Sequence, residues 1–335
     1  MNNILVTGGL GYIGSHVVVE LMDSGYNPII IDDLHNSDIS VLDGIEEITK
    51  KRPAFYQGKF FDTKLLNLIH EEHSLDGIIH IAAYKYVDES VEKPLMYYAN
   101  NVSGFVSLLE FTVKNNINNF VFSSSAAVYG NPPNEIVTEE TPCRPETPYG
   151  WSKYMDEIIL KDTCNSGANL QGLALRYFNV VGSHGSNKIG ELPKVKPQNL
   201  LPLIVKAADG QTLSITVFGD DYPTPDGTCL RDYIHVVDLA KAHLAAIQRL
   251  SAARDSGYQT FNVGTGKPTS VLELIETFQK VNEVKISHKI GSRRLGDPVA
   301  SYANVEKIER ELGWKSEKSI KDACRDAWRW HQSIS

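Results

Sequence analysis

Along the first half of the chain, short apolar β-branched runs alternate with longer segments whose apolar positions recur every three or four residues. Ile4–Val6 reads as a strand, Tyr12–Ser24 as a helix and Pro28–Ile31 as a second strand. A polar segment with helical potential follows, then a strand over Ala54–Tyr56, a helix near Thr63–Glu72 and a strand over Gly77–Ile81. Next come a long helix within Pro94–Asn115, a strand over Phe120–Ser123, a helix around Tyr149–Thr163 and a strand over Leu173–Arg176. Strands alternating with helices predict βαβ units: an α/β, Rossmann-type, doubly wound parallel sheet with helices on both faces. After about Asn179 the texture changes, and Gly182–Pro197 and Gly219–Gly227 are rich in Gly, Pro and polar residues. Loops of that length in a compact domain usually carry function. The reading is a first domain over residues 1–178, with segments near 236–262 returning to it, and a smaller α/β domain over 179–335.

The first strand runs into Gly8, Gly11 and Gly14, and the helix opens within the same loop at Tyr12-Ile13. Glycines at this spacing allow a tight turn, close approach of backbone to a pyrophosphate, and packing of helix on strand. The helix N-terminus then faces the phosphates with free N–H groups and its positive dipole end. Asp32 closes the second strand, where a carboxylate accepts hydrogen bonds from an adenosine ribose diol and repels a 2′-phosphate, so NAD is the expected cofactor. Its neighbour Asp33 reads equally well as a solvated loop residue.

Downstream, Tyr149 and Lys153 stand four apart at the start of a helix and so share one face. A phenol of ordinary pKa ~10 is a poor base near neutrality, and a nearby ammonium is expected to lower it. The phenolate can then take a proton from a substrate hydroxyl while hydride leaves for a nicotinamide. Ser123-Ser124-Ser125 ends a strand, where open α/β sheets bind ligands, although a turn or cap is the plainer role for one of the three.

With 42% hydrophobic and 22% charged residues and a net charge of -8, the chain has no basic stripe, and nucleic acid is not an expected partner. An acidic chain that binds diphosphates must place its cations locally, which draws attention to single arginines. The four cysteines form no C-x-x-C, so neither a disulfide framework nor a metal site is expected, and a reducing compartment fits. No segment reads as a signal peptide, and no apolar run approaches the ~20 residues of a membrane helix. A cytoplasmic protein with no membrane partner is the expectation.

With these residues in place, the chain resembles the extended short-chain dehydrogenase/reductase family and, within it, the UDP-galactose 4-epimerases. The resemblance runs nearly end to end. It rests on Thr7–Gly14, Ser123–Gly130, Pro148–Lys153, Arg176–Asn179, Asp221–Thr224, Arg231–His235 and Arg293–Asp297. It implies that Tyr149 removes the 4′-hydroxyl proton of a UDP-hexose while the 4′-hydride passes to tightly held NAD. The 4-keto sugar turns over and hydride returns to its other face. Ser125 would hydrogen-bond the 4′-oxygen, and Lys153 would also hold the nicotinamide ribose. Asn36, Ser37, Lys85, Asn100 and Tyr177 match family positions near the cofactor. Asn179, Asn199, Leu200, Phe218, Arg231, Arg294 and Asp297 would hold UDP, with the arginines as diphosphate forks. For Phe218 a core position is the alternative, and for Arg231 an ion pair with Asp232. The family also implies a homodimer packed through the two long helices.

Four positions depart from the family pattern, of which Ala83 and Trp151 do not touch the reaction. Lys59 stands where family members carry an Asp that accepts from the adenine amino group, and lysine cannot accept. Ala83 and Trp151 replace frequent Gly and Lys. Ser301 stands where strict glucose/galactose epimerases have Tyr, which implies room for UDP-GlcNAc and UDP-GalNAc. Related 4,6-dehydratases carry acids just after the serine strand, and this chain has Ala126-Ala127 there. A non-catalytic NAD-binding sensor is the other alternative, but it need not keep Tyr149, Lys153 and Ser125 together. The acidic pair Glu89/Glu92 and the Trp328–Trp330 segment carry no evident chemistry. His235 and His243 read as structural histidines on a helix.

Overall fold

Strands and helices alternate from the first residues: β1 (Asn3–Thr7), α1 (Tyr12–Asp23), β2 (Asn27–Asp32), α2 (Val41–Thr49), β3 (Ala54–Gln57), α3 (Thr63–His73) and β4 (Gly77–His80). Then come α4 (Val87–Glu92), α5 (Pro94–Tyr97), a π-helical turn (Tyr98–Ser103), α6 (Gly104–Lys114), β5 (Asn119–Ser123), β6 (Ile136–Val137), α7 (Pro148–Asn165) and β7 (Gln171–Tyr177). The remainder comprises β8 (Asn179–Val181), α8 (Leu200–Ala208), β9 (Ile215–Phe218), β10 (Leu230–His235), α9 (Val236–Ala252) and β11 (Gly257–Val263). It closes with β12 (Pro268–Ser270), α10 (Val271–Asn282), β13 (His288–Gly291), β14 (Ala300–Ala303), α11 (Glu306–Leu312) and α12 (Ile320–Ile334). The computed structural model describes residues 2–132, 134–192, 194, 199–252, 257–294 and 297–334. The Gly182–Pro197 loop lies partly outside these residues, as do Leu295 and Gly296 of the arginine motif.

The main sheet has seven strands in the order β11-β7-β5-β4-β1-β2-β3, and every neighbouring pair is parallel. Strand polarity along the sequence explains its two cores, because successive side chains point to opposite faces. Ile4 and Val6 join α1, α2 and α9 residues such as Val18, Leu42 and Leu239 on one face. Leu5 joins α3, α6 and α7 residues such as Leu66, Leu108 and Leu160 on the other. Strands buried on both faces read as unbroken apolar runs, which is why β2 is Asn-Pro-Ile-Ile-Ile-Asp. The chain leaves β1 toward β2 and β3 and returns to β4 on β1's other side, so the carboxyl ends of β1 and β4 open a crevice where such sheets bind ligands.

A five-stranded sheet carries β10 at its centre, flanked by β12, β14 and β8, with β6 beyond β14, and β13 pairs with β9. Leu201 and Ile204 of α8, Leu274 and Phe278 of α10 and Cys324 of α12 build the core of this region. Although they follow β8 in sequence, α9 packs on α1 and β11 completes the seven-stranded sheet beside β7. No helix among the described residues is long and apolar enough to cross a membrane.

Two expectations need correction. The long helix within Pro94–Asn115 is broken by the π-helical turn, an insertion common at functional sites. It turns Asn101 inward, where its side chain accepts from Tyr84 N (2.9 Å) and donates to Tyr84 O (3.1 Å) and Ser152 Oγ (3.0 Å). His235 ends β10 rather than lying on a helix, and its Nδ1 accepts from Val237 N at 3.1 Å, at the start of α9.

His243 is on α9, fully buried, with Nδ1 2.9 Å from Leu239 O and Nε2 2.6 Å from Ser123 Oγ. Burial pushes its pKa down to about 4. The unfolded chain therefore takes up a proton below about pH 6.5 that the folded chain refuses until about pH 4. This group's contribution is complete above pH 6.5 and is lost as pH falls through that window. The melting temperature of wild type is expected to fall between pH 7 and 4.5, and less steeply in His243→Gln, which has nothing to protonate there. Equal slopes would contradict the assignment.

Candidate active site

The loop after β1 wraps the N-terminus of α1 tightly. Gly8 sits at φ +69°, open to glycine at low cost, and its N–H donates to Ile31 O at 2.8 Å. A Cβ at Gly14 would overlap the carbonyl oxygen of Gly8, so helix and loop touch backbone to backbone. No side chain caps α1 and no acid occupies its first turn, which leaves its leading N–H groups available to an anion. At the end of β2, Asp32 accepts from Leu10 N (3.1 Å), Leu34 N (2.9 Å) and Ser37 Oγ (2.7 Å). Burial raises its carboxyl pKa, and these hydrogen bonds pull it back down.

These groups line one cleft at the switch point of the sheet, where open α/β sheets bind ligands. Gly8, Gly11, Tyr12, Ile13, Gly14, Asp32, Asn36, Ser37, Lys85, Asn100, Tyr149, Lys153 and Tyr177 all face it. Tyr12 Oη donates to Gly182 O at 2.6 Å, and Lys85 Nζ pairs with Glu191 at 3.3 Å across the cleft. The exposed Lys59 lies over the Phe61 ring at 5.4 Å, while Gly58 and Phe60 on either side of it line the cleft.

Helix α7 delivers the Tyr/Lys pair. Thr147 caps it by accepting from Gly150 N (3.3 Å), and Pro148 occupies its first turn. Tyr149 is 8% exposed and Lys153 2%. Lys153 Nζ donates to Ser123 O at 2.8 Å and stands 4.8 Å from the Phe122 ring centre. Burial brings its pKa down to about 8, opposed by Asp156 and Glu157. Tyr149 departs from expectation: its pKa is raised by burial, and a hydrogen bond with Ser125, rather than the lysine, draws it back.

The three serines separate cleanly. Ser123 bonds His243 (2.6 Å), Ser124 bonds Glu157, and only Ser125 meets Tyr149. The capping role also falls on Ser125, which accepts from Ala127 N at 3.2 Å and starts the 3₁₀ turn Ala126–Tyr129. That turn presents Ala126 and Ala127, with no carboxylate.

None of Asn179, Asn199, Leu200, Phe218, Arg231, Arg294, Asp297 or Ser301 lines the cleft. They divide between the five-stranded sheet and the β9–β13 pair. Arg231 on β10 is opposite Ser301 on β14, and Asn179 on β8 pairs with Tyr233 of β10. Arg231 pairs with Asp297 at 2.9 Å, not with Asp232, which is fully buried and accepts from Thr265 N (2.8 Å), Gly266 N (3.0 Å) and Ala303 N (3.2 Å). Alternation along β10 sends the two side chains to opposite faces. The Arg294 guanidinium is 4.1 Å from the Phe218 ring centre. Phe218 is half-buried, and Asn199 is exposed at the start of α8, a helix packed on β9.

Beneath the site lies a network that motif reading missed. Arg176 forks onto Glu157 (2.6, 2.9 and 3.1 Å) and donates to Tyr129 Oη (3.0 Å), which donates to Asn262 Oδ1 (2.7 Å). Glu157 was findable, because it continues the face of Tyr149 and Lys153 at one further i+4 step. Glu191 was not, since it sits in an aperiodic loop. All four cysteines are free thiols, and no group of three or more His, Cys, Asp or Glu among the described residues is arranged for a metal.

The profile of the NAD dependent epimerase/dehydratase family matches residues 4–264. The UDP-glucose 4-epimerase of Drosophila melanogaster is 44% identical over 334 residues, covering 98% of this chain and 95% of the fly protein. The crystal structure of a Stenotrophomonas maltophila UDP-glucose 4-epimerase with bound NAD and formylated UDP-arabinopyranose superposes with a TM-score of 0.97 at 45% identity, covering 100% of this chain and 99% of that one. The Bifidobacterium longum UDP-glucose 4-epimerase in complex with NAD+ and UDP gives 0.93 at 43% identity, covering 99% and 98%.

Proposed function

The chain belongs to the NAD dependent epimerase/dehydratase family, and we propose that it is a UDP-hexose 4-epimerase interconverting UDP-glucose and UDP-galactose. The observation that carries this is the meeting of Tyr149 and Lys153 in the cleft beside the glycine loop, with Ser125 bonded to Tyr149 and alanines in place of acids on the serine turn. The cleft fits NAD on its own chemistry. It has a backbone cradle at Gly8 and Gly14 closed to a Cβ, an uncapped helix N-terminus for the diphosphate, and a buried carboxylate at Asp32 for a ribose diol. Tyr12, Ile13, Asn36, Ser37, Lys85, Asn100 and Tyr177 complete that site.

NAD, when bound, supplies a reversible hydride acceptor for C4 of the sugar. The chain does the rest. Tyr149 Oη, as the phenolate, would take and later return the 4′-hydroxyl proton, Ser125 Oγ would bond the same oxygen, and Lys153, held by the Ser123 carbonyl, would position the nicotinamide ribose. Asn179, Asn199, Leu200, Phe218, Arg231, Arg294 and Asp297 hold UDP while the keto sugar turns over. The residue pattern supports a redox-neutral cycle, because elimination of water would need an acid where Ala126 and Ala127 stand. Incubation with UDP-galactose and a coupled assay for UDP-glucose tests it. Bound NAD without turnover of any UDP-hexose would favour a sensor.

Ser301 extends the reading to UDP-GlcNAc and UDP-GalNAc, since a small side chain opposite Arg231 leaves room for a 2-acetamido group. Ser301→Tyr is expected to cut turnover of UDP-GalNAc by about ten-fold or more, the scale of steric rejection in a pocket, and to spare UDP-galactose. Parallel changes on both sugars would remove Ser301 from substrate selection. The free cysteines suit a reducing cytoplasm. Exposed Val91 (61%), Leu95 (81%), Trp151 (41%) and Ile158 (43%) on α4, α5 and α7 suit a homodimer, to be tested by light scattering.

A further inference from the structure

One wall of the cleft is not part of the Rossmann sheet. Gly190, Glu191 and Leu192 line it opposite the glycine loop, on a strap that runs on from Gly182. Ile189, 1% exposed, roots the strap in the core against α2, and Lys188 pairs with Glu47 of that helix. His184 N donates to Ile189 O (3.2 Å), Asn187 N donates to His184 O (3.0 Å), and Asn187 has φ +58°. Beyond Ile189, where the segment reaches the cleft, it is held by α12. Trp330 of α12 donates from Nε1 to Glu191 O at 3.0 Å, and its indole fills the space a Cβ at Gly190 would need. One turn along, Ser333 Oγ donates to Asn187 O at 3.2 Å. From the cleft side, Glu191 reaches Lys85 at 3.3 Å.

We propose that Trp330 of α12 is a positioning residue for cofactor retention: it pins the Gly190–Leu192 wall against the cleft and so keeps NAD from exchanging during a cycle that never requires its release. The inference rests on reading the cleft as the NAD site. Past the core anchor at Ile189, the Gly190–Leu192 stretch rests on Trp330, so loss of the indole lowers the free energy of opening there, and cofactor escape follows opening. Trp330 does not itself line the cleft, so it acts on a bound cofactor only through Gly190 and Glu191.

The test is exchange of bound NAD against excess isotopically labelled NAD, followed on desalted samples of the full chain. W330A is expected to exchange more than about ten-fold faster than wild type, because packing and hydrogen bond are both lost. W330F keeps a ring against Gly190 without the donor, and about two- to ten-fold faster exchange is expected, the scale of one hydrogen bond. R329A, exposed on the same helix, should exchange like wild type. The KM for UDP-galactose at saturating NAD should not move in W330A, whereas a general loss of structure would raise it. Wild-type exchange in both Trp330 variants overturns the inference, as does wild-type exchange in W330F if W330A does not fold. A wild-type protein that neither retains nor binds NAD overturns instead the reading of the cleft.

Discussion

Tyr149→Phe is expected to lower kcat for UDP-galactose by about 10²–10⁴-fold, the usual worth of a positioned general base, while bound NAD and the melting temperature stay close to wild type. The hydroxyl is the only atom removed. Tyr149 is 8% exposed, and its ring continues to pack in the first turn of α7, so the scaffold has no reason to move. What goes is the one atom positioned to take a proton beside Ser125. Burial alone holds the phenol above its ordinary pKa, and Ser125 draws it back. Ser125→Ala should therefore slow the reaction in the same direction, through loss of that hydrogen bond. A Tyr149→Phe enzyme with kcat within about three-fold of wild type would show that another group moves the proton.

The largest expected effect on stability lies one layer deeper. Glu157→Leu should cost on the order of 3–5 kcal/mol, the usual penalty for leaving one member of a buried ion pair alone, read as a lower midpoint in urea unfolding. Arg176 is 6% exposed and Glu157 3%. The guanidinium is held above its ordinary pKa chiefly by the Glu157 carboxylate, against the opposing effect of burial, so it stays charged when the partner is removed. Ser124 loses its acceptor at the same time. Replacing both members, Glu157→Leu with Arg176→Met, should be milder than the single change, because no charge is then stranded. If the single variant unfolds at the wild-type midpoint, the pair contributes nothing to stability.

The alternation of strands and helices was legible because burial on both sheet faces writes unbroken β-branched runs, and helices write a three-to-four residue period. The glycine loop and the Tyr149/Lys153 pair were legible for the same reason: each is a local spacing whose geometry follows from one turn of backbone. The Asp32 carboxylate was placed by the end of its own strand. The π-helical turn at Tyr98–Ser103 was not visible, since one inserted residue barely disturbs the apolar period of a long helix. Nor was the fate of Lys153, whose ammonium goes to Ser123 O through the packing of α7 on β5.

By itself, then, the sequence determined the parallel sheet, the position of the cleft and the Tyr/Lys pair, because all three depend on contacts within a few residues or on strand order. Only the tertiary structure decided which charges meet. Arg231 lies 66 positions from Asp297, and Glu191 lies 139 from Trp330. Strand pairing and the docking of α12 bring them together, and no periodicity in the chain records either. The same holds for the three adjacent serines: the neighbours they meet come from two helices distant in sequence, His243 from α9 and Glu157 and Tyr149 from α7.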